Sequence, residues 1–202
     1  KDMRVIVEAG YADHIAGIFF GDARTLDHKR EGADWTTLIK CGDGERGAAL
    51  ARVNTSFKTG TPLDDIMGKL TKPLGVSFDS SQFAGKQAVS GYAAHGRAAD
   101  VMDRVITSAG LEWSIQDGRL QILPKGGVTA EVAVEFSADT GLIGSPETSA
   151  PDKKTGKTLI KGECLLAPRI RPGGRIVLKT ESHKGTFRVE KVTHEGDTHG
   201  SE

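Results

Sequence analysis

The stretch Asp65–Phe78, DIMGKLTKPLGVSF, returns 35 residues later as Asp100–Trp113, DVMDRVITSAGLEW. At that constant offset Asp65 meets Asp100, Ile66 meets Val101, Met67 meets Met102, Lys69 meets Arg104, Leu70 meets Val105, Gly75 meets Gly110, Val76 meets Leu111 and Phe78 meets Trp113. In the first copy Leu63, Ile66, Met67 and Leu70 recur at i, i+3, i+4 and i+7, the stripe of an amphipathic helix. Thr61 is expected to cap that helix, Pro62 to take its first position, and Asp64 and Asp65 to face the positive end of its dipole. Pro73 and Gly75 end it. In the second copy the stripe is Val101, Met102, Val105, Ile106 and Ala109, and Gly110 stands where a left-handed residue is wanted. LEWSI then resumes as strand, Asp117-Gly118 supplies the positive φ angles of a type I′ turn, and LQILP returns antiparallel. Residues 50–127 thus read as a β-α-β-β-α-β-β module. Each helix covers part of a small sheet, and neither half buries its apolar stripe alone.

Outward from the module, both flanks carry strand signals. Residues 1–49 form a first β segment, a meander of three strands in which Val5, Val7 and Ala9 fall on one face of a pleat. Residues 128–202 form a second, with VAVEF, TLIKGECLL, GRIVLKTE and GTFRVEKVTHEG as strands and PGGR and SHKG as turns. Residues 137–157 between them read as a long polar loop with Leu142 and Ile143 at its apolar centre. The fold class is therefore α+β, predominantly β. The outer segments are expected to share one β-barrel into which the β-α-β-β-α-β-β domain is inserted.

Twenty-seven basic and twenty-seven acidic side chains cancel, so the chain as a whole is not built for nucleic acid or an anionic bilayer. No apolar run reaches the roughly 18 residues of a membrane span, and a soluble product without membrane anchoring is expected. Cys41 and Cys164, 123 positions apart, make neither a disulfide framework nor a zinc spacing, and are expected as reduced, buried thiols of a cytosolic product. The chain opens inside a strand pattern at KDMRVIVEAGY, and further residues are expected beyond one or both ends.

A search for chemistry finds little. His194 and His199 stand five apart with Glu195, Gly196 and Asp197 between them, which is not the H-E-x-x-H spacing of a zinc helix. GDGER at 42–46 and RPGGR at 171–175 match neither phosphate-binding glycine pattern. The serines include no G-x-S-x-G elbow, and Asp64 and Asp65 are accounted for by the helix start. No catalytic residue, cofactor or metal is expected.

The order VIVEAGY, IFFGDA, DWTTLIKCGDGERGAALARVNTSFKTGTPLDDIMGKL, GYAAHGRAADVMDRVITSAGLEWSIQDGRLQILPKG, SADTGLIGSPE and LLAPRIRPGGRIVLKTESHKGTFRVEKVTHEGDTHG resembles the baseplate-hub or tail-tip-hub proteins of long-tailed bacteriophages. TGLIGSPE and the ending from Gly185 to Gly200 are its most specific pieces. The resemblance implies a virion protein of the tail, assembled in the host cytoplasm. It further implies a commonly trimeric ring of tail-tube-like β-barrels, bound to tail tube and to spike or tip proteins, with DNA passing transiently through the lumen. The 50–127 module is also similar to the N-terminal domain of secretins and TonB-dependent receptors, which keeps a cell-envelope signalling or ring-building domain as the alternative.

Charge supplies the expected ring contact. Glu131, Glu135, Asp139 and Glu147 fall in a stretch, Val128–Thr148, that holds no Lys or Arg. Ala150–Thr180 holds eight basic residues, Lys153, Lys154, Lys157, Lys161, Arg169, Arg171, Arg175 and Lys179, against Asp152 and Glu163. A ring needs one patch to meet a different patch on its neighbour. These two blocks, with Leu142 and Ile143 reaching across, are the candidate subunit interface.

Overall fold

A computed structural model describes residues 3–11, 14–79, 91–151 and 156–197. The chain is predominantly β with few helices. It divides into two compact units, one of Lys1–Val7 with Phe19–Gly126 and one of Glu8–Ile18 with Gly127–Glu202. Its strands fall into five sheets of two or three strands, and among the described residues none closes into a barrel.

The first unit is built on the repeat. Strands β1 (Arg4–Tyr11), β2 (His14–Glu31) and β3 (Asp34–Gly42) form a meander, and Glu8–Ile18 of the first two is counted with the second unit. Helix α1 (Glu45–Leu50) leads to β4 (Arg52–Phe57), α2 (Leu63–Leu74), β5 (Ser77–Phe78), β6 (Tyr92–Arg97), α3 (Ala98–Ser108), β7 (Leu111–Gln116) and β8 (Arg119–Pro124). The last seven give the expected β-α-β-β-α-β-β order. β4 pairs antiparallel with β6, while β5 and β7 flank β8, parallel and antiparallel to it respectively. α2 and α3 each touch both of these sheets.

The two halves superpose in their chemistry. Positions 63 and 98, 66 and 101, 67 and 102, and 71 and 106 are buried in both helices, with Met67 and Met102 at 0 % exposure. Gly75 and Gly110 leave them at φ +71° and +73°. Lys69 lies over the Phe57 ring at 5.4 Å and Arg104 over the Tyr92 ring at 5.8 Å, and both pairs again stand 35 apart. Phe57 is also the cross-strand partner of Tyr92. The two copies of the repeat thus meet at that position of the β4–β6 ladder. Each half contributes one strand to either sheet, and the stripes of both helices meet in one core.

The start of α2 differs from expectation. Pro62 holds the capping position and no side chain caps the helix, because the Thr61 hydroxyl donates instead to the Lys58 carbonyl at 2.7 Å, closing the turn after β4.

The second unit holds β9 (Val134–Phe136), β10 (Leu142–Thr148), β11 (Ile160–Cys164), β12 (Arg175–Lys179) and β13 (Lys184–Arg188). β10 pairs with β11, and β12 lies between β9 and β13. Phe136, Leu178 and Val189 are buried apolar side chains of this unit. The long loop expected at 137–157 is in its first half a strand: a 3₁₀ turn at Ala138–Thr140 ends on Gly141 at φ +90°, and β10 follows. The Ser137 and Thr140 side chains bond each other's backbone reciprocally, which sets that turn and launches the strand. From GTFRVEKVTHEG, strand extends no further than Arg188.

Candidate subunit interface

Leu142 and Ile143 open β10, where period-2 alternation puts them on opposite faces: Leu142 is half-buried, opposite Cys164, and Ile143 is exposed. They belong to a ladder, not to the centre of a loop as expected. Glu131 is exposed before β9, and its backbone carbonyl accepts from the Arg175 guanidinium at 3.0 Å. The Glu135 carboxylate pairs with Lys179 at 2.7 Å across β9 and β12. Asp139 is exposed on the 3₁₀ turn, and Glu147 faces Lys161 in the β10–β11 register. The acidic and basic blocks therefore meet within one unit at several points. These contacts are solvent-exposed, and such pairs contribute on the order of 0–1 kcal/mol each, so they leave the carboxylates and ammonium groups available to a neighbour.

Of the basic block, Lys153 and Lys154 lie outside the described residues. Lys157 and Arg169 are exposed, Arg169 on the turn before β12. Arg171 is half-buried and turned inward: its guanidinium donates to the carbonyls of Gly17 (3.0 Å) and Ile18 (3.3 Å), while the Leu166 amide donates to the Tyr11 hydroxyl at 3.2 Å. Those three bonds tie Tyr11, Gly17 and Ile18 to the rest of the second unit. Burial, reinforced by the Arg171 charge, holds the His194 imidazole below its ordinary value.

Several of the residues weighed for chemistry have structural partners, and His199 lies outside the described residues. Asp43 of GDGER accepts the amide N–H of Asp117 and of Gly118 (3.0 Å), clasping the β7–β8 turn in which those residues have φ +52° and +72°. Burial pushes its carboxyl up, and the two amides oppose that rise. In RPGGR, Gly173 and Val189 bond through their backbones, a turn between strands. Cys41 and Cys164 are free and half-buried, where full burial was expected. Among the described residues no group of His, Cys, Asp and Glu could hold a metal, and no helix is long and apolar enough to cross a membrane.

One feature escaped the sequence reading. The β2–β3 hairpin is exposed at every residue from Arg24 to Lys40, with His28 stacked on Trp35 (ring centroids 4.6 Å apart) and Arg30 over the same indole. As strands of the expected barrel these residues would have one face covered, and they do not. The signal lay in the density of charge, His28-Lys29-Arg30-Glu31, on a strand that alternation alone makes half-buried.

A scan against protein-family models matches none, and a search of curated proteins finds no match to the chain.

Proposed function

We propose that the chain is a structural, non-enzymatic protein of a bacteriophage tail, one copy of the baseplate-hub or tail-tip-hub ring that joins the tail tube to the tip or spike. What carries the reading is the resemblance to such hubs of stretches on both flanks of a repeat-built α/β module, in order along nearly the whole chain. The predominance of β structure agrees with it. In this reading the flanking segments contribute strands to tail-tube-like barrels completed in the ring, which is trimeric. Tube and spike or tip proteins are its neighbours, DNA its transient passenger, and the virion tail its place after assembly in the host cytoplasm.

The acidic block meets the basic block of the next copy, steering docking as complementary fields do. Reversal of Lys153, Lys154 and Lys157 to Glu tests this by native mass and negative-stain microscopy. Three-fold rings from the parent, weakened in the variant most at low salt, support the reading; a parent that never forms rings overturns it.

A second reading, an N-terminal-like domain of a secretin or TonB-dependent receptor, draws on the first unit, where two helices each touch a two-stranded and a three-stranded sheet. It predicts a monomeric chain in the same experiment.

A further inference from the structure

The β2–β3 hairpin has no core of its own. From Arg24 to Lys40 both faces are exposed, including Trp35 at 60 % and Leu38 at 52 %. β3 is the last strand of its sheet, so its outer edge is open among the described residues. An open strand edge is a template for another strand, and a two-stranded ribbon alone is marginal in water.

The backbone sets which residues can use that edge. Glu31 and Asp34 close a two-residue turn at Gly32-Ala33, with Gly32 at φ +68°, and in such a turn the closing pair exchanges both hydrogen bonds. Bonded pairs then alternate, so Asp34, Thr36, Leu38 and Lys40 turn their backbone groups toward β2. Trp35, Thr37 and Ile39 turn theirs outward.

Around Thr37 the sequence DWTTLIK reads as its own complement. If β3 meets a second β3 antiparallel with Thr37 opposite Thr37, then Asp34 faces Lys40, Trp35 faces Ile39 and Thr36 faces Leu38, and each pairing occurs twice. Acid meets base at both ends and apolar meets apolar between them, the side-chain pairs that stabilise antiparallel sheets. The outward backbone groups are those of Trp35, Thr37 and Ile39, which this register matches with about six hydrogen bonds. Centring on Trp35, Thr36, Leu38 or Ile39 instead forfeits both charge pairs.

We propose that the open edge of β3 pairs with β3 of a second copy about Thr37, making a two-fold contact that joins two three-stranded sheets into one. This contact is isologous, distinct from the head-to-tail contact of a ring, and does not rest on the hub reading.

Light-scattering mass of the purified chain over a concentration series tests it, with Asp34→Lys, Lys40→Asp, the double exchange and Thr37→Pro. A proline is tolerated at an open edge, so Thr37→Pro removes the central donor while folding is checked by circular dichroism. The parent is expected to reach twice the mass of either single charge variant. Each single variant weakens pairing at least about tenfold by setting like charges opposite at two sites. The double exchange restores the doubled mass, and Thr37→Pro abolishes it. The factor of two holds whether the Asp34→Lys species is a single chain or a ring. Equal masses for parent and single variants, or a double exchange that fails to recover the parent's mass, overturns the proposal.

Discussion

Met67 and Met102 occupy the same place in two helices, and each is fully enclosed. Truncating either to alanine removes buried methylenes and leaves a cavity, at a cost of about 2–5 kcal/mol, to be read from urea unfolding of parent and variants. The costs should be similar at both sites, since one core holds both side chains at equivalent places of the repeat. His194 makes a different prediction. Its folded value lies below the ordinary 6.5, so the unfolded chain binds more protons just below that pH. Stability contributed by the neutral imidazole is present above pH 6.5 and is lost as pH falls beneath it. His194→Gln is expected to flatten the parent's decline in melting temperature on acidification, and an unchanged slope contradicts the assignment. At this scale the sequence was informative where periodicity and identity coincide, as at Met67, and silent where a partner comes from far along the chain, as for Arg171 with the carbonyls of Gly17 and Ile18.

The repeated element was legible because two independent signals agreed, a 3.6-residue stripe and a terminal glycine, both twice over at one offset. The equivalence of Phe57 and Tyr92 was not, although they share that offset, because Phe57 ends β4 and Tyr92 begins β6, so the two strands themselves do not align at 35. β10 was missed for a local reason: Gly141, Gly144, Ser145 and Pro146 read as loop. Yet Pro146 is buried in the ladder, and the register shifts between Ile143 and Glu147 to admit it, as bulges allow. The clasp of Asp43 on the β7–β8 turn couples elements 74 residues apart. Asp43→Ala strands two amide donors, a loss of about 1–3 kcal/mol, and hydrogen exchange at Asp117 and Gly118 should accelerate accordingly. Unaltered exchange there would show that the turn's own φ angles suffice.

For the whole molecule, the proposed hub ring must supply what the isolated chain lacks. The strands of residues 24–40 have no covered face, and the sheets of the two flanks form no barrel among the described residues. Both are explained if burial is completed by neighbours, since assembly removes apolar surface and open edges from water together. The closure of a barrel is a property of pairing between distant or separate strands, which periodicity within one segment does not encode. A density map of intact tails carrying this chain tests the central claim most directly. The account predicts three copies around the tail axis at the junction of tube and tip, the β segments lining the lumen and the acidic block of each copy against the basic block of the next. Tails in which the chain is absent from that junction, or is present as isolated copies with both charge blocks facing solvent, would contradict it.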